Sequence, residues 1–207
     1  MAKKEGRSPV NVQDLTMWHM TSDDNTATVY DKVAHTFINQ LNSFGYTPSV
    51  ATAVQYGDGV KVEDYVAKDG GTCNAVIRGF AEDDEAFLFG ESYIETAGAE
   101  VSTTIQTYVS QNTDIIPYVC VAFATRRSDG LYNLYKFPKV KWMPQGETLN
   151  QQEGTNISFG TASLQGNYAP LLSIGSDMYK VTGLDLIKDA DFYDNWFTTA
   201  DFPFASN

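Results

Sequence analysis

The chain has 207 residues, 43% of them hydrophobic, and a formal net charge of −12 at pH 7. This length allows one sizeable core, and the apolar content is ordinary for a folded protein. The acidic balance argues against tight binding to nucleic-acid phosphates, which needs clustered Lys and Arg. The longest apolar runs fall far short of the roughly 20 residues that cross a bilayer, so we expect no membrane insertion.

Residues 1–12 are small and polar, and they predict an N-terminal arm. Because Met1–Arg7 has lysines but no apolar stretch after them, we expect no secretory signal and a protein made in the cytoplasm. Cys73 and Cys120 each lie inside an apolar, strand-like run. This setting favours two buried thiols, with a single disulfide as the alternative.

The next elements are predicted from periodicity. Leu15–Met20 has the pattern of a short strand, and a polar turn follows it. Residues 32–44 fit either a helix or a loop lying across a surface. Residues 48–66 alternate with period two on both sides of Gly57-Asp58-Gly59, a pattern typical of a β-hairpin.

One helix is expected at the segment AEDDEAFLFG, residues 81–90. Its four consecutive acids suit the positive end of a helix dipole on a solvated face, and Gly90 stands where a C-terminal cap belongs. The following segment, residues 96–116, has strand-like character around Val101–Val109. In total, about eight strand candidates and this helix predict a mainly β fold in a single domain.

A second hairpin is predicted at ATRRSDGLYNLYKFPKVKW, residues 124–142, with its turn at Ser-Asp-Gly. Apolar residues at both parities before this turn indicate a strand covered on both faces. Pro138 cannot donate to a ladder, so we expect a bulge or an edge there. Val140 and Trp142 should pack inward, and Lys139 and Lys141 should face a subunit boundary or solvent.

Motifs for catalysis are missing from the sequence. It contains neither a phosphate-binding loop nor a nucleophile elbow, and its two histidines, His19 and His35, are far apart. The segment DLIKDADFYDN spaces four Asp like a calcium loop but lacks the turn glycine and the terminal Glu. We therefore predict no catalytic residue, no cofactor and no metal, and a protein that is not an enzyme. A hydrolase with two carboxylates brought together by the fold stays the distant alternative.

Several short motifs, in order and spacing, resemble the major tail proteins, that is tail tube proteins, of long-tailed non-contractile bacteriophages. The resemblance covers roughly residues 12–170. It comprises the Pro-Tyr-Val strand start at 117–119, the Asp-Gly turn, the aromatic and lysine-flanked return strand, a Gln/Glu-rich hinge, and a strand with Ile157, Phe159, Thr161, Leu164 and Gly166. Upstream, VYDKV, YGDGVKVEDYV and AEDDEAFLFG fall where that family has its early hairpin and its helix ending in Gly.

The resemblance implies a tail-tube-type β-sandwich or split barrel with one flanking α-helix and long loops or arms. It implies hexameric rings that stack into a tube, through which genomic DNA passes without tight binding. Six copies at −12 would carry −72, which suits such a conduit. The implied partners are other copies of the chain, a tape measure protein, and tail terminator and initiator proteins, within a virion tail assembled in the host cytoplasm. Residues 171–207 match no part of the pattern and are treated as a C-terminal extension.

The expected contact residues between subunits lie in the arms and on the lysine-flanked strand: Pro9, Val10, Asp23, Asp24, Tyr30, Phe37, Lys139 and Lys141. The alternative function is a monomeric β-sandwich module that binds carbohydrate or a cell-surface partner. In that case the aromatic cluster of Tyr193, Trp196 and Phe197 would form the binding surface.

Overall fold

The computed structural model describes residues 8–37, 40–58, 60–80, 83–97, 104–145 and 161–201. Strands dominate these ranges, which confirms the predicted mainly β fold. The helices are α1 (Asp84–Phe89) and α2 (Ala190–Thr198). The strands are β1 (Pro9–Asp23), β2 (Thr28–Tyr30), β3 (His35–Phe37), β4 (Leu41–Gly57), β5 (Val60–Ile77), β6 (Ser92–Ala97), β7 (Thr104–Val109), β8 (Val119–Arg127), β9 (Tyr132–Met143), β10 (Ala162–Tyr168) and β11 (Tyr179–Leu184).

Nine of these strands form one antiparallel sheet in the order β2-β1-β8-β9-β10-β5-β4, with β3 also paired to β1 and β11 to β9. A separate small sheet contains β6 and β7. Both predicted hairpins are present, as β4–β5 and as β8–β9. Neither helix in the described ranges is long and apolar enough to cross a bilayer.

The bulge predicted at Pro138 is confirmed. The register between β8 and β9 moves from Val119 opposite Val140 to Val121 opposite Phe137, which leaves one extra residue on β9. On its other edge, β9 pairs with β11 up to Lys136 and with β10 from Val140 onward. Proline has no N–H to donate to a neighbouring strand. The strand paired with this edge of β9 therefore changes from β11 to β10 around Pro138.

Strand β8 is buried on both faces, as its sequence predicts. Residues 119–125 are all buried, and they alternate between two cores. Val121 and Phe123 face the first core, whereas Cys120 and Ala122 face the second. Cys73 and Cys120 are buried free thiols, in agreement with the favoured prediction. Burial raises the pKa of each thiol to about 12, so both stay protonated.

The first core lies inside a strongly curved sheet. The ring of Phe44 on β4 is 4.3 Å from that of Phe123 on β8 and 5.5 Å from that of Phe137 on β9. In the sheet order, β9, β10 and β5 separate β8 from β4. Rings on strands so far apart meet only because the sheet curls around them. Val140 and Trp142 are buried in this core, as predicted.

The second core lies on the outer face of β1, β8 and β9 and is closed by the C-terminal part of the chain. Trp196 of α2 is fully buried there beside Trp18 and Leu134, and Leu184 and Ala200 complete the contact. The predicted C-terminal extension therefore contributes β11 and α2 to the body of the protein. Residues 202–207 lie outside the described ranges.

Three local predictions need correction. Strand β1 begins at Pro9 rather than Leu15, so it takes up the last residues of the predicted arm and pairs them with β8; residues 1–7 lie outside the described ranges. The helix alternative for residues 32–44 is wrong, since β3 and the start of β4 occupy this segment. Helix α1 and its cap at Gly90 (φ 71°) are confirmed, but Asp84 is 1% exposed rather than on a solvated face.

Candidate assembly interface

The outer part of the β4–β5 hairpin extends beyond the rest of the sheet. Strand β4 pairs with β5 along nearly its whole length, whereas β10 pairs with β5 only from Gly71 to Ile77. Residues 50–58 and 60–69 are therefore a two-stranded projection, which we call the ribbon. In the strand ladders of the described residues, the outward edges of both ribbon strands have no partner.

The ribbon exposes large apolar side chains. Each of its two strands carries several, with exposed fractions from 43% to 69%: Val50, Val54, Tyr56, Val60, Val62, Tyr65 and Val66. An isolated two-stranded hairpin is only marginally stable in water, and contiguous exposed apolar surface marks interaction sites. Unpaired strand edges are in addition a template for pairing with another chain. The ribbon thus has the features of a surface that a partner covers.

The base of the ribbon is defined by glycines. The β4–β5 register shifts between Pro48 and Val50, and Gly70 opposite has φ 61°, in the left-handed region. A Cβ at Gly70 would overlap the carbonyl oxygen of Tyr168, and one at Gly71 would overlap that of Thr47. Glycine is required here because three strand backbones approach closely where the ribbon leaves the sheet.

The charge on the ribbon is mixed. It carries two lysines and four acids, so its net formal charge is −2. The ammonium of Lys61 lies 2.6 Å from the carboxylate of Asp64, and both side chains are about half exposed. Such an exposed ion pair contributes little to stability. The ribbon is therefore held mainly by its own ladder, and its side chains stay available to a partner.

Four of the predicted contact residues lie in a polar cluster at one end of β1. Asp23 pairs with Lys139 at 2.6 Å, and it also accepts hydrogen bonds from Thr28 Oγ1 and from the Leu172 N–H. Burial acts to raise the pKa of Asp23, but these hydrogen bonds and the charge of Lys139 together hold the pKa below its usual value. Asp24 accepts hydrogen bonds from the backbone N–H groups of residues 26 and 27 within a turn, and Tyr30 Oη donates to the Pro138 carbonyl.

The remaining four lie at three separate places. Pro9 and Val10 are exposed at the start of β1, and Lys141 places its ammonium 5.0 Å from the centre of the Tyr118 ring. Phe37 is 1% exposed, so its side chain belongs to the first core. The role of all eight residues as subunit contacts stays a prediction. The ribbon was predicted as a hairpin but not as a site, although its valines, which recur at one parity on both strands, were a signal.

A lysine is fully buried in the second core. Lys136 donates from Nζ to the Thr199 carbonyl at 2.7 Å, and its ammonium lies 5.2 Å and 4.8 Å from the ring centres of Trp18 and Trp196. Desolvation by burial lowers the pKa of Lys136 to about 8, and the nearby carboxylate of Asp201 opposes the shift. The lysine thus connects β9 with the segment that follows α2.

The histidines clamp helix α1. The rings of His19 and His35 stack on Phe87 at 4.0 Å and 4.4 Å, and Nε2 of His35 lies 2.7 Å from the Asp84 carboxylate. His35, Asp83 and Asp84 bring one ligand atom each within 4.8 Å of one another. The buried Asp84 carboxylate accepts a hydrogen bond from His35. This cluster therefore connects β3 with α1.

The binding-module alternative loses its central residue. Trp196 is fully buried, and its Nε1 donates to the Tyr135 carbonyl at 3.3 Å. Tyr193 donates a hydrogen bond to Asp14 and, like Phe197, is packed against the second core. These aromatics hold α2 on the sheet rather than forming an exposed platform.

In comparisons with known proteins, neither a family profile nor a curated protein matched the sequence.

Proposed function

We propose that this protein is a structural subunit that assembles with identical copies, and that the assembly is the tube of a bacteriophage tail. The observation that carries the proposal is the ribbon, an apolar projection with two unpaired strand edges. In a lone subunit such a feature promotes aggregation, whereas in an ordered assembly the neighbouring copies cover it and are stabilised by the contact.

The order of the ribbon strands favours a ring. When ribbons stand side by side in one orientation, β5 of one copy lies next to β4 of the following copy. These neighbours run in opposite directions, so they can form a regular antiparallel ladder. Each copy contacts one neighbour through the edge of β4 and the other neighbour through the edge of β5. Such a head-to-tail contact either closes into a ring or continues as a helix.

The charge and the sequence resemblance make the proposal more specific. A resemblance to tail tube proteins implies six copies per ring, and at −12 each a ring would carry −72. A ring with this net negative charge repels phosphates, so DNA would pass through the ring without tight binding. In this proposal the protein is not an enzyme, and its partners are its own copies and the tail proteins that set the length and the ends of the tube.

The test compares the full chain with a variant that lacks the ribbon. Because Val50 lies opposite Lys68, replacing residues 51–67 with Asn-Gly should close a tight hairpin without disturbing the body. We expect the full chain to form rings or tubes in negative-stain electron microscopy and species far above 22.9 kDa in light scattering. The shortened variant should stay monomeric and unfold cooperatively. A full chain that is strictly monomeric at high concentration, or a shortened variant that assembles equally well, would refute the proposal.

A further inference from the structure

The two faces of the ribbon differ in chemistry. Residues directly opposite in the ladder share a face, and alternate residues along each strand share it too. By this register, one face carries three valines with Thr52, Asp64 and Lys68; we call it the valine face. The other carries Ala51, Ala53, Gln55, Glu63, Tyr65 and Ala67; we call it the alanine face.

We propose that the valine face is covered by a second copy of this chain and that the alanine face lines the bore of the ring. This inference rests on the proposed function, since only a closed assembly of ribbons has an inner and an outer face.

Apolar area favours burial of the valine face. Val50, Val54 and Val66 are 51%, 43% and 60% exposed in the lone subunit. Covering such side chains removes apolar surface from water, which favours association. On the alanine face three of the six residues are alanines, which gain much less from being covered, and Tyr65 is the one large apolar side chain.

Charge favours the same assignment. The valine face carries one acid and one base, Asp64 and Lys68, and Asp64 is already paired with Lys61 at 2.6 Å. The carboxylate on this face is thus already compensated, and Lys68, opposite Val50 at the start of the ribbon, is its remaining charge. In the paired stretch of the alanine face Glu63 is the one charged residue, and burying a carboxylate without a paired base is costly. Facing a water-filled bore, Glu63 stays solvated.

The alanine face is also suited to a passage for a polyanion. Its paired stretch has no Lys or Arg that could bind phosphates and release counterions. The small side chains at positions 51, 53 and 67 narrow the bore least. A ring of identical copies would place one Glu63 carboxylate per copy on the wall, which adds a repulsive charge.

The first test uses charge insertions at neighbouring positions of the same strand. Val54→Asp and Val66→Lys alter the valine face, and Ala53→Asp and Tyr65→Lys are their matched controls on the alanine face. We expect the two valine-face variants to lower the assembly constant at least about tenfold per contact, and the controls to stay within about twofold of the parent. Thermal unfolding of the monomers should be alike in all four, since these side chains lie outside both cores.

A second test does not depend on assembly being lost. Ala53→Cys and Val54→Cys place a thiol on each face, and the native thiols are buried, so the background reaction is low. In assembled tubes, a small maleimide should label the cysteine at position 53 and should react far more slowly at position 54. Equal effects on both faces, or the reverse order, would overturn the face assignment but would not contradict the proposal that the chain assembles. Absence of any assembly by the parent chain would overturn the proposed function and the face assignment with it.

Discussion

Strand β8 and the ribbon are built from similar strand-forming residues, yet their surroundings differ completely. Residues 119–125 of β8 have a strand on either side and a core on each face. The ribbon, residues 50–58 and 60–69, has one strand beside each of its strands and solvent on both faces. The comparison shows that strand pattern alone does not define a core; the elements packed on the two faces of a strand decide whether its apolar residues are covered.

The largest expected effect tests the body side of this comparison. Phe137 is fully buried, and its ring lies 5.1 Å from that of Tyr168 and 5.3 Å from that of Tyr46. Phe137→Ala should lower the free energy of unfolding by about 3–5 kcal/mol, because it leaves a cavity in the first core. Tyr65→Ala in the ribbon is the control and should change it by no more than about 0.5 kcal/mol. Urea unfolding of both variants measures the difference; equal losses would contradict the contrast.

The next prediction concerns the boundary between the two regions. Gly70 and Gly130 are both left-handed, with φ 61° and 85°, but a Cβ at Gly70 would overlap Tyr168 whereas one at Gly130 would meet nothing within 4 Å. Gly130→Ala should cost about 1 kcal/mol for its backbone conformation alone. Gly70→Ala should cost about 2–4 kcal/mol because the strands must also move apart. Unfolding free energies that are equal for the two variants would show that the ribbon base is not closely packed.

A third prediction compares a buried ion pair with an exposed one. Asp23→Asn leaves Lys139 without its carboxylate and should cost about 1–2 kcal/mol. Asp64→Asn in the ribbon, where the partner is Lys61, should cost about 0–1 kcal/mol.

The pH dependence of the Asp23 effect has a defined sign. The folded state holds the pKa of Asp23 below its ordinary value of 3.8, so this carboxylate stabilises the fold above that pH. Its contribution is lost as the pH falls through the lower folded pKa. The gap in unfolding free energy between the parent and Asp23→Asn should therefore narrow in acid, and a gap that widens below pH 4 would contradict this account.

The smallest expected effect is a gain. Lys136→Met keeps the shape of the side chain and removes a buried charge, so we expect the variant to be about 1 kcal/mol more stable at pH 7. The folded pKa of Lys136, about 8, lies below its ordinary value of 10.5, so the parent gains stability between these pH values as the amine loses its proton. The advantage of the variant should shrink as the pH rises from 8 to 10.5. Chemical unfolding of both proteins across this pH range measures the difference in unfolding free energy. A difference that stays constant would show that Lys136 does not lose its proton in the folded protein at these pH values.

Local signals explain what could be predicted from the sequence. Both hairpins, the cap at Gly90 and the bulge at Pro138 depend on backbone preferences within a few residues. The doubly buried β8 was visible as apolar residues at both parities. The burial of Lys136 and Asp84 was not visible, because it depends on Trp196 and His35, which are distant along the chain.

The site was harder to predict for the same reason. The hairpin of residues 48–66 was expected, but its departure from the sheet depends on where β10 ends, at Tyr168 opposite Gly71. No pattern within the hairpin specifies that third strand. The predicted contact residues lie in the arms and on the lysine-flanked strand, whereas seven large exposed apolar side chains lie together on the ribbon.

Amide hydrogen exchange, measured on the full chain as monomer and as assembly, tests the central claim most directly. We expect residues 50–69 to exchange rapidly in the monomer and to become strongly protected on assembly, while residues 119–125 of β8 are protected in both states. Protection of the ribbon that is already high in a monomer, or that does not change when particles form, would show that copies of the chain do not pair through these strands.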